Sequence, residues 1–141
     1  MAPFDLQRFI EAQNSIYDDV LSELAAGSKT SHWMWFVFPQ LQGLGRSSMA
    51  IKYGIESREE AQAYWQHPTL GARLKECVEL VMAVKGRNAF QILGTPDDLK
   101  FRSSMTLFSH AVPDEPIFKR ALAKYFDGRD DPRTMELLAR S

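Results

Sequence analysis

Residues 29–48 read Lys-Thr-Ser-His-Trp-Met-Trp-Phe-Val-Phe-Pro-Gln-Leu-Gln-Gly-Leu-Gly-Arg-Ser-Ser, and no other stretch restricts the fold so tightly. From Trp33 to Phe38 every side chain is apolar, so neither face of this segment can stay in water, whatever its conformation. A buried strand satisfies that demand, and so does a short buried helix capped by Ser31. Pro39 ends the segment in both cases, because it has no N–H and restrains Phe38. A chain of 141 residues can enclose such a segment in one core without disulfides or metal. A single domain spanning 1–141 is therefore expected.

The rest of the chain carries helical signals. Phe9, Ile10, Ile16, Tyr17, Val20, Leu21 and Leu24 recur at helical spacing over residues 5–26, with Asp5 as a cap and Gly27 as a stop. Gln13 interrupts that apolar stripe, so it must bond to loop backbone or face a ligand. Ser47 or Ser48 can cap a short helix through Tyr53, ended by Gly54. Ser57-Arg-Glu-Glu60 has the spacing of a capping box. After His67-Pro68, residues 69–85 carry a stripe of Leu70, Leu74, Cys77, Val78 and Val81 with Gly86 as the stop, which makes Cys77 a core residue. Asn88 can cap a single turn through Leu93. Thr95-Pro96 is read as a cap followed by proline at the first helical position. Pro116–Phe126 and Pro132–Arg140 complete the chain. The expectation is an all-α domain of seven or eight short helices around the Trp/Phe-rich segment.

Three groups of residues resemble a known family. They are His32-Trp-Met-Trp-Phe-Val-Phe-Pro-Gln40 with Gly43-Leu-Gly-Arg-Ser-Ser48 and Tyr53-Gly-Ile55; Glu60-Ala-Gln-Ala-Tyr64 with His67-Pro68 and Leu70-Gly71; and Asp98-Leu-Lys-Phe-Arg-Ser-Ser-Met-Thr-Leu-Phe108. Together they resemble the bacterial and fungal domain-of-unknown-function family numbered 1810, over nearly the whole chain. The resemblance implies an all-α fold and thereby a helix at 31–38. It implies no activity. Some members carry the label calpastatin, but a compact domain is unlike the long disordered repeats of that inhibitor class. A fainter likeness, in Asp98–Phe108 followed by Phe118 and Tyr125-Phe126, is to small helical N-glycosidase proteins of NAD and ADP-ribose metabolism.

Several residues are candidates for a site. His32 can serve as acid, base or donor near neutral pH. Trp33 and Trp35 point to different sides of a helix, so one is expected in the core and the other can stack on a planar ligand. Gly43-Leu-Gly45-Arg46-Ser47-Ser48 offers close backbone approach, N–H groups at a helix start and a guanidinium, a combination suited to phosphate or carboxylate. It lacks the lysine and spacing of a P-loop. Asp98, Lys100, Arg102, Ser103, Ser104 and Thr106 give one helix unusual polarity, and Asp98 can pair with Arg102 four residues on.

The resulting expectation is a pocket that binds, or binds and hydrolyses, a small anionic or nucleotide-like ligand. His32 and Asp98 are its catalytic candidates, and Gln13, Trp33, Trp35, Gln40, Arg46, Ser47, Ser48, Lys100 and Ser104 its binding candidates. The competing expectation is a non-catalytic protein-interaction domain. The three histidines are dispersed and Cys77 is the sole cysteine, so neither a metal site nor a cofactor is expected. A net charge of -1 argues against nucleic acid. The charged N-terminal residues Asp5, Arg8 and Glu11 and the lack of a long apolar run point to a cytoplasmic protein without a membrane segment. Homo-oligomerisation is left open.

Overall fold

In the computed structural model, which describes residues 4–140, the chain folds into a single all-α unit. Its helices are α1 (Gln7–Asn14), α2 (Tyr17–Ala25), α3 (Met34–Val37), α4 (Ser48–Tyr53), α5 (Arg58–Gln66), α6 (Leu70–Ala83), α7 (Ala89–Leu93), α8 (Asp97–Ala111), α9 (Ile117–Phe126) and α10 (Pro132–Arg140). The expected domain bounds of 1–141 include Met1–Pro3 and Ser141, which lie outside the described residues.

Most local signals act as the residue types require. Ser47 accepts a bond from the Ala50 N–H, and Ser57 accepts one from the Glu60 N–H. Asn88 and Gln91 form a reciprocal capping box on α7. Gly27, Gly86 and Gly128 close helices or begin loops at positive φ. His67 extends this pattern: its Nδ1 accepts from the Thr69 and Leu70 N–H groups, so the imidazole supplies the cap that the Thr69 side chain does not.

The described residues form ten helices, with two departures from the expected pattern. Residues 5–26 do not form one helix, because the chain breaks at Ser15-Ile16, where Ile16 takes φ -130 and its N–H bonds the Gln13 carbonyl. The break lets α1 and α2 turn different apolar faces to the core. The aromatic segment is helical only over Met34–Val37, a single turn. Beyond it, Gln40–Gln42 runs beside Gly54–Glu56 through a short parallel bridge, with Ile55 N–H bonding the Gln40 carbonyl at 2.8 Å and Gln42 N–H bonding the Ile55 carbonyl at 2.7 Å.

α8 contributes more buried residues than any other described helix. Phe101, Met105, Leu107 and Phe108 are fully buried, and so are Ser104 and Thr106. The aromatic segment packs on it, with Phe38 edge-on to Phe101 at 4.9 Å between ring centres. The unusual polarity of α8 now has a structural cause. A helix surrounded by other helices needs small residues for close approach, and Ser103 and Thr106 satisfy their hydroxyls on the carbonyls of Leu99 and Arg102. Arg102 does not pair with Asp98. It donates to the carbonyls of Arg129 and Asp130, while Thr106 accepts from the Asp131 N–H and His110 meets the Asp130 carboxylate at 2.9 Å. Residues 102, 106 and 110 stand one turn apart. They grip the loop leading into α10, whose first turn Asp131 caps through Thr134.

Candidate functional site

The loop from Ser28 to Trp33 is ordered by one carboxylate. Glu23 Oε1 accepts from the Thr30 N–H, the Ser31 N–H and the Trp33 Nε1–H, and its other oxygen accepts from the Ser31 hydroxyl. Partial desolvation pushes this carboxyl's pKa up, but the bonds from Ser31, Thr30 and Trp33 outweigh it and hold the group at about 2. Trp33 is buried as a result, with Lys29 Nζ 4.9 Å from its ring centre. Lys29 also bonds Asp97 at 2.7 Å, and Asp97 lies 3.9 Å from Lys100 Nζ, which sits 4.9 Å from the Trp35 ring centre. Lys29, Asp97, Lys100 and the two indoles thus form one connected ionic and aromatic assembly. The acid at its centre is Asp97. The neighbouring Asp98 carboxylate turns back to accept the Leu99 N–H.

The residues singled out from sequence separate into three environments. His32, Arg46, Ser47 and Ser48 are exposed, and none of them lines the hollows described below. Gln13 and Ser104 are buried. Gln13 donates to the Phe36 carbonyl at 2.6 Å and the Tyr64 hydroxyl at 3.0 Å and accepts from Arg73 at 3.3 Å, so it ties α1 to α3, α5 and α6. The Ser104 hydroxyl has no hydrogen-bond partner. Trp35 and Gln40 do share a hollow, with Leu41, Gly45, Ala50, Tyr53 and Gly54, but its volume is about 10 Å³, room for a single water molecule at most.

Next to it, on the other side of Gly54, lies a cleft of about 380 Å³, a size suited to a small molecule. It is lined by Phe4, Asp5, Arg8, Gln42, Ile51, Lys52, Gly54, Glu56 and Glu60. Glu60 and Arg8 meet in its wall at 3.0 Å, with side-chain exposures of 1% and 14%. The guanidinium is also bonded to the carbonyls of Asp5, Lys52 and Gly54. The second Glu60 oxygen accepts the Glu56 N–H at 2.7 Å. In an ordinary capping box this oxygen would bond the cap residue's own N–H; here it reaches one residue further, to Glu56, while the other oxygen pairs with Arg8. α1, the α4–α5 connection and the Gln40–Gln42 segment all contribute. Arg8 escaped sequence reasoning because it lies far from the motifs it joins. The one available signal was an arginine on a helix whose basic partners are otherwise absent.

Other titratable groups are buried in structural settings. Burial pushes the Cys77 thiol up to about 12 against a weaker opposing bond to Tyr17, which leaves it an unreactive core residue. Burial also raises the Tyr17 and Tyr64 hydroxyls. Among the described residues, no three His, Cys, Asp or Glu side chains are grouped so as to hold a metal ion. No described helix is long and apolar enough to cross a membrane.

These features define a small all-helical domain, and one of its ligand-sized hollows is a polar cleft with a buried ion pair in its wall. The sequence matches the family described as protein of unknown function (DUF1810) over residues 3–138, and the chain belongs to that family. It is similar to a solved structure described as the conserved hypothetical protein Rv1873 from Mycobacterium tuberculosis, with 57% sequence identity and a TM-score of 0.96 over 98% of this chain and 99% of that one. No curated protein sequence matches it.

Proposed function

We propose that this protein binds a small polar molecule in the cleft beside Arg8 and Glu60. The observation that carries the reading is the Glu60 carboxylate, almost completely shielded from solvent yet bordering an open cleft. A shielded charge is costly unless it is paired and hydrogen-bonded, and small-molecule sites are clefts lined by a few convergent polar groups of this kind. The cleft offers a ligand both signs of charge. Lys52 supplies an ammonium, 5.4 Å from the Tyr53 ring centre, Asp5 and Glu56 supply carboxylates, Gln42 an amide, and Phe4 and Ile51 an apolar wall. Such a lining suits a ligand carrying an anionic group together with hydroxyl or amine donors, as nucleotide-like molecules do. The reading is one of binding; it moves the site expected around Trp35, Gln40 and Arg46 across Gly54 to the larger cavity.

A thermal-shift screen over nucleotides, NAD, ADP-ribose, sugars and amino acids tests it, because a ligand that binds the native state raises its melting temperature. At least one compound is expected to stabilise the wild type. Lys52→Ala and Gln42→Leu, both at exposed positions, should abolish that shift without changing the ligand-free melting temperature, while Arg46→Ala should retain it. A panel with no stabilising compound, or a shift indifferent to Lys52 and Gln42, overturns the proposal.

A further inference from the structure

Another hollow, of about 490 Å³, lies between the end of α6, the following loop and α9. Its lining is Val84, Lys85, Gly86, Arg87, Asn88, Lys124 and Tyr125. Three of these seven residues are cationic and none is acidic, in a chain whose net charge is -1. Lys85, Arg87 and Lys124 are exposed. Their heads are only partly committed. Arg87 donates one Nη2–H to the Gln91 carbonyl at 2.7 Å, and Lys124 donates to the Met82 carbonyl. A guanidinium has five N–H donors and an ammonium three, so most donors around the hollow face solvent. Tyr125 fixes one wall: its hydroxyl donates to the Val81 carbonyl at 2.8 Å, and its ring lies 5.3 Å from Lys124 Nζ. The loop is open at Gly86, where φ is +73 and a Cβ would meet nothing within 4 Å.

We propose that this hollow binds the phosphate group of a small phosphorylated molecule. Three cations around one cavity repel each other in the empty protein, and a multiply charged anion relieves that repulsion while accepting their free donors. Arg87 provides a planar fork and the two lysines provide point charges, a set that suits a tetrahedral oxyanion with several acceptors. A singly charged carboxylate would leave part of the charge unmatched. The volume exceeds that of a phosphate alone, so the rest of the molecule has room against Tyr125. This site shares no residue with the Arg8–Glu60 cleft and stands or falls separately.

Inorganic pyrophosphate titrated into the full-length protein and followed by amide NMR tests the assignment, with sodium chloride at matched ionic strength as the control. Saturating shifts are expected at Gly86, Arg87 and Asn88. Lys85→Gln combined with Arg87→Gln should weaken binding by about tenfold or more, through loss of charge-assisted contacts, and Lys52→Ala should leave it unchanged. Shifts that never saturate, that sodium chloride reproduces, or that survive the double substitution overturn the proposal. So does saturable binding of a single-stranded oligonucleotide in the absence of any response to pyrophosphate, which would mark a nucleic-acid surface instead.

Discussion

Replacing Glu23 by glutamine removes a charge from the carboxylate that organises the Ser28–Trp33 loop. The glutamine carbonyl can still serve Thr30 N–H, Ser31 N–H and Trp33 Nε1–H, which reach Glu23 Oε1 at 2.8, 2.9 and 3.0 Å. Its amide nitrogen, however, would face the Ser31 hydroxyl, which must rotate to accept. Four bonds thereby lose charge assistance. At about 0.5 kcal/mol each the loss is about 2 kcal/mol, and solvent screening at this half-buried side chain reduces it to about 1 kcal/mol near neutral pH. The effect also has a definite pH dependence. The folded-state carboxyl titrates near 2 against an ordinary value of 4.5, so between those values the unfolded chain binds the extra proton. The stabilisation is therefore complete above about pH 4.5 and fades as pH falls toward about 2, at a limiting slope of about 1.4 kcal/mol per unit before screening. Urea unfolding followed by circular dichroism, for wild type and Glu23→Gln at about pH 7 and at about pH 3, measures this directly. Wild type should be the more stable at neutral pH, and the gap should narrow in acid. Equal stability at neutral pH, or a gap of the same size in acid, would refute the assignment of Glu23 as a charged organiser of the loop.

Two other substitutions probe the packing. A Cβ on Gly71 would lie 2.0 Å from the Trp65 carbonyl oxygen, a backbone atom that cannot rotate away, so Gly71→Ala should cost about 3 kcal/mol or more and show as a large drop in the urea midpoint. Ser104→Ala removes a buried hydroxyl that lacks a partner and should raise stability by about 1 kcal/mol, or about 3 °C in melting temperature, while leaving any ligand-induced shift intact because the hydroxyl has no access to solvent.

Much of the helical framework could be read from the chain because its causes are local. Ser47, Ser57 and Asn88 cap helices through bonds to N–H groups three residues away, and Gly27, Gly86 and Gly128 sit where the backbone takes positive φ. Each involves a handful of consecutive residues, so type and spacing are sufficient. The motifs resembling family 1810 likewise anticipated an all-α domain. The break at Ser15-Ile16 was less visible, since the apolar stripe continues across it.

The site was another matter. Glu60 was legible as the last residue of a capping box, but nothing nearby announces that Arg8, 52 positions earlier, pairs with its carboxylate. Asp97 and Asp98 are chemically identical and adjacent, yet the first bonds Lys29 and the second bonds its own neighbour. The polar helix α8 offered a plausible ligand face, whereas Ser103 and Thr106 bond their own helix and Arg102, Thr106 and His110 hold the loop before α10. Sequence alone settled most of the helices outside residues 31–38 and which residues must leave water, because hydrogen bonding along the backbone and the periodicity of burial are short-range. Packing settled which polar heads meet, since that depends on the angles between helices, and those are set by the shapes of side chains far apart in the chain.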